Sequence, residues 1–184
     1  LLLKKIDYYK TNNIQVLLSK KATKIDRDNK KVHLQSGEKI DYTKLVIAIG
    51  SKAKKAPQSD CDNYSNVYYL RNLHDAKNLK NQLHTGKKIL IIGGGYLGLE
   101  VASICSSFGM HTTVVEGAER ILKRVAGEPT AAYFREIFST KGVEVIENDF
   151  VKKINNFESE VTSVELVSGR LIDVDTLLVA TGGY

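Results

Sequence analysis

At residues 89–116 the chain reads ILIIGGGYLGLEVASICSSFGMHTTVVE, and most of its architecture follows from how that run is parsed. Ile89–Ile92 is a short continuous apolar run, the length of a buried strand, closed by glycines. Leu97, Val101, Ile104, Cys105 and Phe108 then recur at helical spacing, and Gly109 stands where a left-handed helix cap belongs. Thr112–Val115 returns to strand. Strand, glycine turn, amphipathic helix and strand make the βαβ unit of a parallel sheet covered by helices, a Rossmann-like α/β fold.

The turn itself carries chemistry. Gly93-Gly94-Gly95-Tyr96-Leu97-Gly98 is a GxGxxG, weak alone but placed here between a strand and a helix. Gly93 permits the tight turn, Gly95 lets a pyrophosphate approach the backbone, and Gly98 lets helix and strand pack closely. The helix N-terminus adds unpaired N–H groups and a partial positive charge. Glu116 lies 23 residues after Gly93, near the ~20 expected of a carboxylate that accepts from ribose hydroxyls. These features predict dinucleotide binding. A carboxylate at 116 repels a 2′-phosphate and favours NADH over NADPH, although Arg120, Lys123 and Arg124 follow closely and can pair with phosphate. Tyr96 reads either as core packing or as a ring over the nicotinamide pocket, and Glu100 either as an exposed helical acid or as part of the site.

Outward from this unit, Pro129 opens a second helix with Tyr133, Phe134, Ile137 and Phe138 on one face, stopped by Gly142. Val143–Ile146 reads as a strand, and the remainder to Val179 as a β-meander turning at Ser168-Gly169. Upstream, residues 1–10 read as the end of a helix. Ile14–Leu18, Val32–Gln35, Lys39–Tyr42 and Leu45–Ile49 read as strands, with a polar turn at Asp26–Asn29. Residues 51–66 read as a loop and Asp75–Leu83 as a short helix.

Residues 32–50, VHLQSGEKIDYTKLVIAIG, align without a gap onto residues 164–182, VELVSGRLIDVDTLLVATG, with nine of nineteen positions identical. Shared polar residues such as Asp41 and Asp173 exceed what hairpin alternation requires, which predicts two copies of one nucleotide-binding unit. The first copy's glycine turn falls before residue 1, and Met110 is the only methionine, so the chain reads as truncated at its front.

Composition excludes several classes. With 42% apolar and 26% charged residues over 184 positions, the chain is neither disordered nor fibrous. No apolar run approaches the ~18 residues of a membrane span. Two cysteines, Cys61 and Cys105, exclude a disulfide framework and point to a reducing, cytoplasmic compartment. Both read as structural thiols, and His33, His74, His84 and His111 are too scattered to predict a metal site. The net charge of +6 favours anionic partners, but basic residues without aromatic interleaving speak against nucleic acid.

IIGGGYLGLEVAS, VVEGAERILKRVAGEP, YLRNLHDAKNL and LVIAIGS together resemble the FAD-dependent, NADH-linked ferredoxin and rubredoxin reductases of the pyridine nucleotide–disulfide oxidoreductase superfamily. The resemblance covers essentially the whole chain. It implies an FAD/NAD(P)-binding fold in which residues 1–70 are an incomplete FAD-domain segment and 71–184 the NAD-binding domain running back toward it. By the same resemblance Gly93, Gly95, Tyr96, Leu97 and Gly98 hold the NAD pyrophosphate, Glu116 the ribose, and Arg124 lies near the adenosine end. Gly182 passes the nicotinamide half, Glu100 stands by the flavin and nicotinamide rings, and Ala22, Ala48, Gly50 and Arg71 contact FAD. The family's N-terminal FAD fingerprint, its later Gly-Asp segment and its interface domain are not in these residues.

The implied function is the NAD-binding portion of a flavoprotein oxidoreductase, in which NADH reduces FAD and electrons pass to an acidic ferredoxin or rubredoxin. No side chain is expected to act as nucleophile or general acid, since the cofactors carry the chemistry. The alternatives are a disulfide or peroxide reductase of the same superfamily, which needs a cysteine near the flavin, and a nucleotide-binding module without catalysis. No membrane partner is expected.

Overall fold

A computed structural model describes residues 4–56, 61 and 63–184. The chain forms two compact units, Leu1–Ile49 and Gly50–Tyr184.

In the second unit the expected alternation is present: β5 (Lys88–Ile92), α3 (Tyr96–Ser107), β6 (His111–Glu116), α4 (Glu128–Thr140) and β7 (Val143–Glu147). The three strands pair in parallel, Ile91 against Val114 and Val114 against Val145. β11 (Thr176–Val179) inserts on the other side of β5, and β4 (Val67–Tyr69) pairs with β11, giving the order β4-β11-β5-β6-β7. Ile89, Leu90 and Ile91 are buried because both faces of the sheet are covered, which is why their run is continuous rather than alternating. The pleat still divides them. Ile89, Ile91, Val114 and Leu178 join the core under α3 and α4, while Leu90, Ile92, Val115 and Leu177 join a second core on the opposite face.

That opposite face is covered by an antiparallel sheet of β8 (Val151–Phe157), β9 (Glu160–Leu166) and β10 (Leu171–Asp173), which contributes Ile154, Val161, Val164 and Leu166. The meander therefore ends at Asp173. Residues 176–179 are not its continuation but a buried strand of the parallel sheet, apolar toward both faces.

α3 buries Leu99, Val101, Ala102 and Cys105, and Phe108 and Gly109 end it, Gly109 at φ +73°. α4 begins with Pro129 in its first turn, as expected, but its inner face is not the aromatic stripe. Ala131 and Phe138 are buried, while Tyr133 and Phe134 are exposed. Arg135, which lies between the two buried positions in sequence, pairs with Glu128 and Glu147. α2 (Leu73–Lys80) starts at a capping box, Asn72 accepting from the Asp75 amide and Asp75 from the Asn72 amide.

The first unit holds α1 (Ile6–Thr11), β1 (Ala22–Asp26), β2 (Lys31–Leu34) and β3 (Lys39–Asp41). Residues 1–3, part of the expected first helix, and 57–60 and 62, part of the expected loop, lie outside the described residues. Ile14–Leu18 and Leu45–Ile49, expected as strands, form none. Both runs are apolar, but no neighbouring strand pairs with them among the described residues, and a strand exists only through its ladder. β1 and β4 were not expected. Residues 50–70, joined to the first segment on sequence, fold with the second unit, because β4 pairs with β11.

Candidate functional site

The carboxyl ends of β5, β6, β7 and β11 open into one cavity of about 900 Å³, on the side where the sheet order reverses between β5 and β11. Open α/β sheets bind ligands at that place. A smaller hollow of about 430 Å³ between β4 and α2 has Asp75 as its only charged group, already committed to the helix cap.

The glycine turn forms the floor of the large cavity. Gly93 has φ +115°, and a Cβ there would come 2.5 Å from the Ala180 carbonyl oxygen, so β5 and β11 leave room only for glycine. A Cβ on Gly98 would collide with the Gly93 carbonyl, which lets α3 sit directly on the turn. Gly95, the N-cap of α3, has extended backbone, no capping side chain and open space where a Cβ would point. The first intrahelical bond runs from the Leu99 amide to the Gly95 carbonyl, 3.1 Å. The amides before it have no acceptor within the helix, the orphan donors of any helix start.

Glu116, at the end of β6, turns its carboxylate back over this floor. One oxygen accepts from the Gly94 amide at 2.7 Å and the other from the Ala118 amide at 2.8 Å. Each oxygen keeps lone-pair capacity for a further donor, and Glu116 lines the cavity. Gly94, a free position in the motif, is also constrained. A Cβ there would come 2.6 Å from Ile121 Cγ2, and its carbonyl accepts from the Leu122 amide at 2.9 Å. The basic loop after β6 is thereby tied to the glycine turn. Of its three cations, Arg120 pairs with Glu128 at 3.4 Å and Lys123 with Glu119 at 3.1 Å. Arg124 lines the cavity and makes no ion pair among the described residues.

Residues 4–183 match the family described as Pyridine nucleotide-disulphide oxidoreductase. The chain belongs to that family. It is 32% identical over 180 residues to putidaredoxin reductase of Pseudomonas putida, covering 96% of this chain and 43% of that protein. It is 34% identical over 180 residues to a rubredoxin-NAD(+) reductase of the same organism, covering 98% and 46%. Among solved structures, the covalent putidaredoxin reductase–putidaredoxin complex superposes with a TM-score of 0.90 at 33% identity, covering 100% of this chain and 45% of that one. The chain spans less than half the length of the curated relatives it matches.

The remaining positions expected of a pyridine nucleotide-disulphide oxidoreductase fall in different places. Tyr96 and Leu97 are exposed in the first turn of α3 and line the cavity, as does Gly182 at φ +107°. Arg71 lines it too. Its Nε donates to the Ser51 carbonyl at 3.0 Å, and its guanidinium stands 3.7 Å from where a Gly50 Cβ would be. Glu100 is exposed one turn further along α3, outside the cavity lining. Ala22 opens β1 and Ala48 lies in the exposed run after β3, both in the first unit.

Both cysteines are buried, and burial pushes the Cys105 thiol up to about 11, which leaves it protonated and inert. No group of three His, Cys, Asp or Glu among the described residues is placed to hold a metal ion, and no helix is long and apolar enough to cross a membrane. Besides Gly94, the sequence reading missed the segment after β7. Asp149 and Phe150 line the cavity from there, and their position at the carboxyl end of a parallel strand was the signal available.

Proposed function

We propose that this chain is the NAD-binding portion, with an FAD-domain segment, of a flavoprotein oxidoreductase that takes hydride from NADH and serves a ferredoxin- or rubredoxin-type electron carrier. When bound, NADH supplies two electrons as hydride to FAD, which releases them singly. The chain's own residues bind and orient. The first amides of α3 receive the pyrophosphate in the space beside Gly95, and Glu116 accepts from the ribose hydroxyls through its remaining lone pairs. Arg124 neutralises charge at the adenosine end, and the backbone at Thr181-Gly182 borders the nicotinamide half. Glu100, Arg71, Gly50, Ala48 and Ala22 are assigned to the flavin side.

The observation that carries the reading is the open amide floor at Gly95, with the Glu116 carboxylate folded over it. Glu116 also supports preference for NADH. Of the three cations that follow it, Arg120 and Lys123 pair with Glu128 and Glu119, which weakens their pull on a 2′-phosphate and leaves Arg124 as the one without an ion pair among the described residues. The disulfide-reductase alternative finds no support in Cys61 or Cys105, both buried.

Titration of the purified chain with NADH and NADPH tests the proposal. Saturable NADH binding is expected, weaker for NADPH, with little flavin copurifying and negligible NADH oxidation. Gly95→Val, which meets open space, is expected to fold normally and lose NADH binding. Absence of NADH binding to the folded wild type would refute the assignment. An NADPH affinity equal to or tighter than that for NADH would reverse the cofactor preference, and stoichiometric bound flavin would contradict the division of roles.

A further inference from the structure

Resting on the dinucleotide reading above, we propose that Phe150 is the stacking platform for the purine base of the bound dinucleotide. Phe150 follows β7 and belongs to neither core, yet its backbone is pinned on both sides. Its amide donates to the Asp149 carboxylate at 2.8 Å, and its carbonyl accepts from the Val167 amide at 2.9 Å. Just before it, the Asn148 amide donates to the Ala118 carbonyl at 2.8 Å, and Asn148 takes the left-handed conformation at φ +58°. Asp149 is itself buried, and hydrogen bonds from Ser168 and Phe150 hold its carboxyl below the ordinary carboxylate range, so this brace is ionised at neutral pH.

The ring has a seat of its own. It occupies the space where residue 117 would carry a Cβ. Ring atoms Cδ1 and Cζ would lie 2.7 and 2.9 Å from such an atom, and Cε1 closer still, so the ring rests on bare Gly117 backbone. Phe150 nevertheless remains 61% exposed and lines the cavity. Phe157 is comparably exposed, but at the far end of β8 and lining no part of this cavity. A ring packed on Gly117 stands one residue past Glu116, the carboxylate assigned to the ribose. The base on that same ribose is the ligand group that falls beside it. Leu122 and Val125 supply further apolar wall in the same cavity. An aromatic face seated on backbone is suited to a planar heterocycle.

The test compares wild type with Phe150→Ala, Phe150→Leu and Phe150→Trp, using NADH, AMP and nicotinamide mononucleotide as probes in NMR titrations of the whole chain. Phe150→Ala is expected to weaken NADH and AMP binding by roughly tenfold, the scale of one base–aromatic stack. Nicotinamide mononucleotide affinity should stay unchanged, and Phe150→Trp should retain AMP binding. If the alanine variant does not fold, Phe150→Leu keeps an apolar cover over Gly117 without a π face and should still lose AMP affinity several-fold. A folded Phe150→Ala or Phe150→Leu chain that binds AMP like wild type overturns the proposal while leaving NADH binding intact. A wild-type chain that binds neither NADH nor AMP overturns the dinucleotide reading together with it.

Discussion

Residues 32–50 and 164–182 begin as the same structure and end as different ones. In the first hairpin Lys31 faces Asp41, Val32 faces Ile40 and His33 faces Lys39. In the second, Ser163 faces Asp173, Val164 faces Ile172 and Glu165 faces Leu171, the same register at every pair. The turns match as well: Gly37 has φ +88° and donates to Leu34, and Gly169 has φ +89° and donates to Leu166. Beyond the hairpins the copies part. Residues 176–179 form β11 between β4 and β5, all buried, whereas the equivalent Leu45-Val46-Ile47 run is exposed and forms no strand. The hairpin is local, closed by its own turn and cross-strand pairs, so sequence identity suffices to reproduce it. The strand after it has no local partner. Its apolar residues make it strand-competent, but only neighbours on both sides make it a strand.

The largest expected effect tests that difference with one substitution made twice. Leu177 is fully buried in β11, and the repeat places Leu45, 39% exposed, at the same position. Leu177→Ala is expected to cost ~2–5 kcal/mol in urea unfolding, the range for a buried leucine. Leu45→Ala should cost less than about 1 kcal/mol. Equal losses would mean that the first copy's run is packed in solution, and the contrast between the copies would disappear.

The next effect tests the similarity. Neither Gly37 nor Gly169 has a neighbour within 4 Å of a Cβ position, so the cost of Gly→Ala is purely that of a left-handed backbone. Each variant is expected to lose roughly 1–2 kcal/mol from its own hairpin, and the two losses should agree. Amide hydrogen exchange of Leu34 and Leu166, whose N–H groups close the two turns onto Glu38 and Arg170, reads each separately. A clear inequality would show that the turns are shaped by their surroundings rather than by themselves.

The same contrast explains how much of the molecule was legible. The run 89–92 and the glycine turn were readable because burial on both faces and a φ that demands glycine each leave a residue-type signature, whereas of the expected stripe on α3 only Val101 and Cys105 are buried and Leu97, Ile104 and Phe108 are exposed. β1 was not readable, since ATKID is mostly exposed and shows no period, and β4 is only three residues long. Apolarity misled at 45–49 and at Tyr133 and Phe134, where it stands without burial. In the candidate site, Gly93, Gly95, Gly98 and Glu116 were singled out through spacing along the chain, and the structure sets Gly93, Gly95 and Glu116 on the cavity lining. Gly94 and Phe150 were not, because the groups that constrain them, Ile121 and the Gly117 backbone, are distant in sequence.

The smallest effect concerns the step at which the copies diverge. Asp175 stands at the entry to β11. Its amide donates to the Lys88 carbonyl at 2.9 Å and its carboxylate accepts from the Lys88 amide at 2.8 Å, latching the start of β11 to the start of β5. Thr43 occupies that position in the first copy, where no strand lies alongside among the described residues of its unit. The Lys88 backbone hydrogen bond, with help from Lys87, holds the Asp175 carboxyl below its ordinary value of 3.8. A depressed folded value means that the latch stabilises fully above about pH 4 and is lost as pH falls through that lowered value. Because the side chain is partly exposed, solvent screening leaves a contribution of about 1 kcal/mol. Asp175→Asn should therefore lower the second unit's stability by that amount at pH 7, and the gap from wild type should narrow as pH falls below the ordinary carboxylate range. Thr43→Ala should leave stability unchanged at neutral and acid pH alike. A gap at Asp175 that persists in acid would assign the latch to side-chain shape rather than charge, and the divergence of the two copies would then owe nothing to this carboxylate.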